Sequence, residues 1–287
     1  MRRWWEEADL AGTLGADVVS AATVSGGDVS EAWRLEMQDG RSVFAKTHAD
    51  PPPGLFSTEA AGLAWLGQVE ALAVPEVLAV SDDAPAHLVL QWIPTGRPQA
   101  GTEEGFGRAL AALHRAGSPT FGRVDGRSTG SLALPNGPSE DWVTFIADRR
   151  LRPLARLGRQ RRALPEDVSS ALEGLADRLG GLDVPTEPPA RLHGDLWAGN
   201  RLVDDRGRSW LIDPAAHGGH REFDLAMMAL FGGFGERCWA AYEEVFPLAD
   251  GWRARIDLHQ VVPLAVHAIK FGGGYVAATA SAVARYR

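Results

Sequence analysis

The sequence predicts an α+β chain of two unequal lobes: a small β-rich N-terminal lobe over residues 1–93 and a larger helical C-terminal lobe over residues 94–287. Three observations carry this. Short apolar runs punctuated by turn dipeptides fill the first third of the chain. Pro94-Thr95-Gly96-Arg97-Pro98 then breaks the composition. Beyond it, apolar residues recur at helical spacing. A length of 287 residues fits one large domain or two packed lobes, at about 150 residues per domain.

Each element has its own signal. Asp17 to Val24 is rich in β-formers and runs into Ser25-Gly26-Gly27-Asp28. Val29 to Met37 alternates, meets the hairpin dipeptide Asp39-Gly40, and returns as Ser42 to Lys46. Pro51-Pro52-Pro53-Gly54 breaks the chain, and Ser57-Thr58-Glu59 opens a helix carrying Ala60, Leu63, Ala64 and Leu66. Val77 to Val80 and His87 to Leu90 read as two more strands around Asp82-Asp83. Helical patterns follow over Glu103 to His114, Asp141 to Leu157 and Pro165 to Leu179, with a Gly- and Pro-rich loop between Pro119 and Pro138. A short strand pair, Arg201 to Val203 and Trp210 to Ile212, precedes further helices from Glu222 onward.

Composition excludes several classes. The formal net charge of −8 disfavours non-specific binding to nucleic acid or to an anionic membrane surface. No apolar stretch reaches the roughly 20 residues of a membrane span, and the N-terminus lacks a signal-peptide core. With one cysteine, Cys238, neither an intrachain disulfide nor a cysteine-based zinc site can form, which suits a cytoplasmic protein.

The chemistry concentrates in His193-Gly194-Asp195-Leu196-Trp197-Ala198-Gly199-Asn200 and Leu211-Ile212-Asp213-Pro214. Phosphoryl transfer needs a carboxylate that orients a hydroxyl and accepts its proton, the role predicted for Asp195. It also needs hard oxygen ligands for Mg²⁺, here Asn200 and Asp213, returned to one edge by the short hairpin. Either Asp195 or Asn200 alone reads equally as a loop residue making local hydrogen bonds. In the N-terminal lobe, Lys46 closes a strand where an ammonium can reach the phosphates of ATP, and Glu59 early in the next helix can pair with it. Gly26 and Gly27 lie between two strands, where a phosphate-covering loop or an ordinary β-turn would sit. Gln91-Trp92-Ile93, at the lobe junction, can offer backbone groups to an adenine edge.

Taken together, His193 to Asn200, Leu211 to Ala215, the run Gly219-His220-Arg221-Glu222-Phe223-Asp224-Leu225-Ala226 and, more weakly, Lys270-Phe271-Gly272-Gly273-Gly274-Tyr275 resemble the fructosamine kinase (ketosamine-3-kinase) family. That family lies within the protein-kinase-like, aminoglycoside phosphotransferase group. The resemblance implies a protein-kinase-like bilobal fold and transfer of the ATP γ-phosphate to O3 of a ketosamine, free or protein-bound, which deglycates the amine. It implies Asp195 as base, Asn200 and Asp213 as Mg²⁺ ligands, Lys46 with Glu59 as the phosphate-orienting pair, Gln91 to Ile93 as the adenine hinge, and Asp224 as an anchor of the catalytic loop.

The acceptor side is less determined. Trp197 reads either as a core aromatic or as a wall beside the acceptor sugar. Arg221 and Glu222 either line the acceptor site or pair with each other at a helix start. His217 stands in an Ala216-His217 pair that departs from the family pattern, so acceptor preference stays open. A kinase of another hydroxylated metabolite, such as an aminoglycoside or amino alcohol, and a catalytically silent nucleotide-binding module are the competing readings. The intact Lys46, Asp195, Asn200 and Asp213 argue against silence.

Overall fold

In the N-terminal part, alternation decides which residues face the cleft. The computed structural model describes residues 3–24, 30–127 and 132–286. Strands β1 (Val18–Thr23), β2 (Glu31–Met37) and β3 (Ser42–Thr47) form an antiparallel meander, and β4 (Val77–Ser81) and β5 (His87–Gln91) complete one sheet in the order β1-β2-β3-β5-β4. Along β3, Val43 and Ala45 join Leu35, Met37 and Val89 on one face. Side chains alternate along a strand, so Phe44 and Lys46 point to the other face.

Two short helices absent from the sequence reading, α1 (Trp4–Glu7) and α2 (Leu10–Leu14), cover the first face with Trp4, Trp5 and Leu10. At four and five residues they are too short to show a helical period. The second face carries α3 (Leu55–Gly67), whose Phe56, Ala60 and Leu63 pack on Leu88 and Leu90. This helix starts two residues before Ser57, because its cap comes from a distant turn. Asp82 Oδ1 accepts from Phe56 N at 2.9 Å and from Ser57 N at 3.2 Å, satisfying two of the orphan donors of the first turn. Glu59 therefore falls in the second turn rather than the first. Gly26 and Gly27 lie outside the described residues.

The chain crosses to the helical part along Pro94 to Gly96, which is sewn to a later hairpin: Gly96 N donates to Val203 O and Asp205 N to Pro94 O. Helix α4 (Thr102–Ala116) follows, then α5 (Trp142–Ile146), a π-helical turn over Ala147–Leu151, α6 (Arg152–Gln160) and α7 (Glu166–Arg178). The predicted helix from Asp141 to Leu157 is thus interrupted. Strand β6 (Ala190–Leu192) pairs with β9 (His217–Gly219), enclosing the hairpin β7 (Arg201–Val203) and β8 (Ser209–Leu211). Helices α8 (Glu222–Phe231), α9 (Glu236–Val245), α10 (Trp252–Phe271) and α11 (Gly274–Ala284) complete the chain. Among the described residues, no helix is long and apolar enough to cross a membrane. Cys238 is buried in α9, where burial pushes its thiol up to about 12.

Helices α4 and α9 meet at a glycine. A Cβ at Gly107 would collide with the carbonyl of Cys238, whereas a Cβ at Gly105, on the solvent side of the same helix, meets nothing. Overpacking of this kind costs about 1–3 kcal/mol, so Gly107→Ala should lower Tm by about 3–10 °C. Gly105→Ala should hold or raise it, since alanine is favoured over glycine in a helix by about 0.5–1 kcal/mol. Thermal unfolding of the two variants checks this; equal Tm values would mean that α4 and α9 do not approach as described.

Candidate active site

Alternation along β3 puts Lys46 on the face toward α3, and the second turn of α3 puts Glu59 opposite it. Lys46 Nζ donates to Glu59 Oε1 at 2.8 Å and also to Asp213 Oδ1, which comes from the loop after β8. Burial disfavours the ammonium, but the two carboxylates outweigh it and hold Lys46 above its ordinary range. Two carboxylates share this one cation. Burial, reinforced by the nearby Asp213 charge, pushes Glu59 up against the pull of Lys46. Burial acts on Asp213 in the same sense, but there Lys46 wins and the carboxyl stays below its usual range. Asp213 sits at φ +54°, a conformation uncommon for a non-glycine residue and one that clusters at functional sites.

The loop from His193 to Asn200 is held from below by α8. Asp224 is fully buried and accepts from His193 N at 2.8 Å and Gly194 N at 2.9 Å. His114 Nε2 lies 3.3 Å from the same carboxylate, and His114 Nδ1 lies 2.8 Å from the Tyr242 hydroxyl. Gly194 has φ +81°, and a Cβ there would run into the carbonyl of Ala215, so the tight turn requires glycine. His193 is structural: its Nδ1 accepts from Asp195 N at 3.3 Å, and its Nε2–H donates to Ile212 O at 2.9 Å. It thereby ties the Asp195 turn to the strand end that presents Asp213.

Asn200 Nδ2 donates to Asp195 O at 2.9 Å and to Asp195 Oδ2 at 3.1 Å. That fixes its amide, leaving Oδ1 as the outward oxygen. Burial pushes the Asp195 carboxyl above its usual value, against the hydrogen bond from Asn200 and the Lys270 charge. Asn200 Oδ1 and the Asp213 carboxylate are both hard oxygen donors and fit a Mg²⁺ ion.

Lys46, Glu59, Asp195, Asn200 and Asp213 line one cleft of about 790 Å³. Gln91, Trp92 and Ile93 line it at the end of β5, where the Arg34 guanidinium stacks 4.7 Å from the Trp92 ring. The N–H of Gln91 is already donated to Glu76 O at 2.9 Å. Of the three predicted hinge residues, Gln91 therefore has no backbone N–H to offer an adenine. Trp197 also lines the cleft; it is 40% exposed and packs its ring 5.9 Å from Phe231.

The other predicted acceptor-side residues divide. His217 lines the inner wall, buried against Phe145 and Phe223, with Nδ1 2.9 Å from Ala215 O; burial, then the Arg150 charge, pushes it down to about 3. Arg221 and Glu222 do not line the cleft, nor do they pair with each other, and both expectations are corrected. Arg221 is gripped by Glu187 at 2.8 Å, by Nε and Nη2, and lies over the Phe246 ring. Glu222 takes Nε and Nη2 of Arg255 at 2.9 and 2.6 Å. A charged residue at a helix start shows no direction in sequence, and here both point into the helical core. Glu222 also lies with His220 and His259 in a cluster of metal-ligand type. Its charge is spent on Arg255, and both His220 nitrogens face backbone partners, Pro185 O and Glu222 N.

The sequence reading missed three basic residues of the cleft: Arg150, His267 and Lys270. Pro263, Val266, His267 and Lys270 occupy one face of α10 at i, i+3, i+4 and i+7, a spacing that was open to view. Arg150 sits in the π-helical turn, which carries no sequence signal.

An antiparallel sheet and a helical part that together enclose a lysine–glutamate pair, an asparagine and two aspartates define a phosphotransferase of protein-kinase-like fold. The fructosamine kinase family matches residues 6–286, and the chain belongs to that family. A Thermus thermophilus protein named as a probable ketoamine kinase is 37% identical over 261 residues, covering 90% of each chain. A crystal structure from Thermobifida fusca, named as a candidate fructosamine-3-kinase, superposes with a TM-score of 0.87 at 41% identity, over 97% of this chain and 98% of the other. A choline kinase from Streptococcus pneumoniae shares the fold alone, with a TM-score of 0.65 at 16% identity over 98% of each chain.

Burial holds His220 down at about 4, with the His259 charge adding to it. Its folded value lies below the unfolded 6.5, so the unfolded chain binds the extra proton. The stability present above about pH 6.5 is lost as pH falls toward 4, at roughly 1.4 kcal/mol per pH unit. Asp195 and Glu59, raised carboxyls, act in the opposite sense, so the informative quantity is the stability of His220→Gln relative to wild type. From pH 7 to pH 5 it should improve by about 1–2 kcal/mol in urea unfolding. A constant difference would contradict a neutral, buried His220.

Proposed function

We propose that the protein transfers the γ-phosphoryl group of ATP to a sugar hydroxyl, O3, of a ketosamine such as a fructosamine. The observation that carries this is the placement of Asp195, with Asn200 fixing its carboxylate, in the same cleft as Lys46, Glu59 and Asp213. In this reading residues 1–93 bind the nucleotide and residues 94–287 carry the catalytic loop and the acceptor. The adenine edge meets the backbone of Trp92 and Ile93. Lys46, oriented by Glu59, contacts the phosphates. Asn200 and Asp213 would hold Mg²⁺, which when bound neutralises charge developing on the phosphates.

Asp195 orients the acceptor hydroxyl and takes its proton as the new O–P bond forms and the bond to the ADP leaving oxygen breaks. Its raised carboxyl suits a base working nearer neutrality than a free aspartate. Trp197, two residues on and partly exposed in the cleft, offers an apolar wall to the C–H face of the sugar. His217, neutral and buried, supports that inner wall. The phosphate ester formed at O3 labilises the adduct and frees the amine, a deglycating role that suits a cytoplasmic enzyme. No observation favours an aminoglycoside or amino-alcohol acceptor over this one.

The test is ³¹P NMR of ATP, Mg²⁺ and a synthetic fructosamine with wild type and with Asp195→Asn. Wild type should give a new phosphomonoester resonance. The variant should give it about 10²–10⁴-fold more slowly while still binding a non-hydrolysable ATP analogue. A monoester formed only from aminoglycosides or choline would replace the ketosamine reading. Unchanged turnover by the variant would remove Asp195 from the mechanism.

A further inference from the structure

Among the described residues, Arg150 is a buried cation without a counter-charge. It is 2% exposed, yet it lines the cleft beside His217, whose imidazole its charge perturbs. Every acceptor it has is neutral. Nη1 donates to Pro135 O at 2.6 Å and Arg149 O at 2.9 Å, Nη2 donates to Asn136 Oδ1 at 2.7 Å, and the Phe145 ring lies 4.5 Å from the guanidinium carbon. Burial and the neighbouring Arg149 push Arg150 down to about 9, with no carboxylate offsetting them. Buried guanidinium groups are ordinarily paired, because an uncompensated charge in the interior is costly. This chain follows that rule elsewhere, at Arg201–Glu103, Arg221–Glu187 and Arg255–Glu222.

The donors left over on Arg150 have a shape. Three of its five N–H groups are used, leaving Nε–H and one Nη2–H without an acceptor among the described residues. Nε and Nη2 are the same two nitrogens with which Arg221 and Arg255 grip carboxylates in this protein. Asn136, whose Oδ1 is fixed by Arg150, keeps a second buried donor, Nδ2, also without an acceptor among the described residues. The π-helical turn over Ala147–Leu151 carries Arg150, and such turns recur at functional sites. Lys270 adds a further fixed positive charge to the cleft and acts on Asp195, in a chain of net charge −8.

We infer that Arg150 is a specificity residue of the acceptor site and that the preferred ketosamine carries a carboxylate, as a glycated free amino acid does, which Arg150 pairs when the acceptor is bound. This rests on the ketosamine reading above and adds the anionic class to it. The pairing involves no covalent step. It supplies, only in the complex, a counter-charge that Arg150 does not receive from the described residues.

The test compares fructosylglycine with fructosylglycinamide, which differ in having or lacking the carboxylate, as acceptors for wild type and Arg150→Gln. Wild type should favour the carboxylate by about tenfold or more in kcat/KM, the scale of a charge-assisted hydrogen bond. In Arg150→Gln the preference should collapse toward unity with KM for ATP unchanged. Equal kcat/KM for the two acceptors in wild type overturns the inference and leaves the ketosamine reading standing. Phosphorylation of neither acceptor overturns the ketosamine reading itself. Retention of the full preference by Arg150→Gln assigns it to another cation and also overturns the inference. Should Arg150→Gln not fold, the wild-type comparison still decides, and Lys270→Gln, at an exposed position of the cleft lining, should keep most of the preference.

Discussion

One ammonium joins the two halves of this molecule across the cleft. Lys46 comes from a strand of the sheet, Glu59 from the helix packed on that sheet, and Asp213 from the loop after a hairpin in the helical part. A buried cation needs a partner, and two carboxylates brought together in the interior need a cation. Lys46 meets both demands. Lys46 holds the Asp213 carboxyl below its usual range, whereas burial pushes Glu59 up.

The loop from His193 to Asn200 obeys a second constraint, set from beneath. Asp224 spends both carboxylate oxygens on the backbone N–H groups of His193 and Gly194, and the glycine conformation at 194 leaves no room for a side chain. His193 then links the Asp195 amide to the Ile212 carbonyl. Asp195, Asn200 and Asp213 are therefore positioned by backbone contacts, each of which satisfies a buried polar group. Few degrees of freedom remain at the reacting end of the cleft, and rates there are sensitive to displacements near 1 Å, which can cost about 10²-fold.

Much of this was legible in the sequence because the signals were local. Alternation over Val29 to Met37 and the dipeptide Asp39-Gly40 pointed to the hairpin whose return strand ends in Lys46. The spacing of Asp195, Asn200 and Asp213 gave the trio, since five residues and a short hairpin leave little freedom. What escaped depended on long-range partners. The start of α3 is set by Asp82, a contact 26 residues along the chain. Arg221 and Glu222 sit in the motif that carries the family resemblance, but their partners Glu187 and Arg255 turn them away from the cleft. Arg150 was invisible because nothing in Ala147-Asp148-Arg149-Arg150-Leu151 says which of two adjacent arginines is buried, or that the helix there widens to a π turn.

The sharing of Lys46 has a consequence for metal dependence. If Asp213 is a Mg²⁺ ligand as well as a partner of Lys46, then removing its carboxylate should abolish the contribution of the metal to nucleotide affinity without abolishing the contact between Lys46 and the phosphates. The direct measurement is calorimetric titration of a non-hydrolysable ATP analogue into wild type and Asp213→Ala, each with and without Mg²⁺. The account predicts that Mg²⁺ tightens binding to wild type and leaves binding to Asp213→Ala nearly unchanged. An Mg²⁺ enhancement of the same size in both proteins would contradict it.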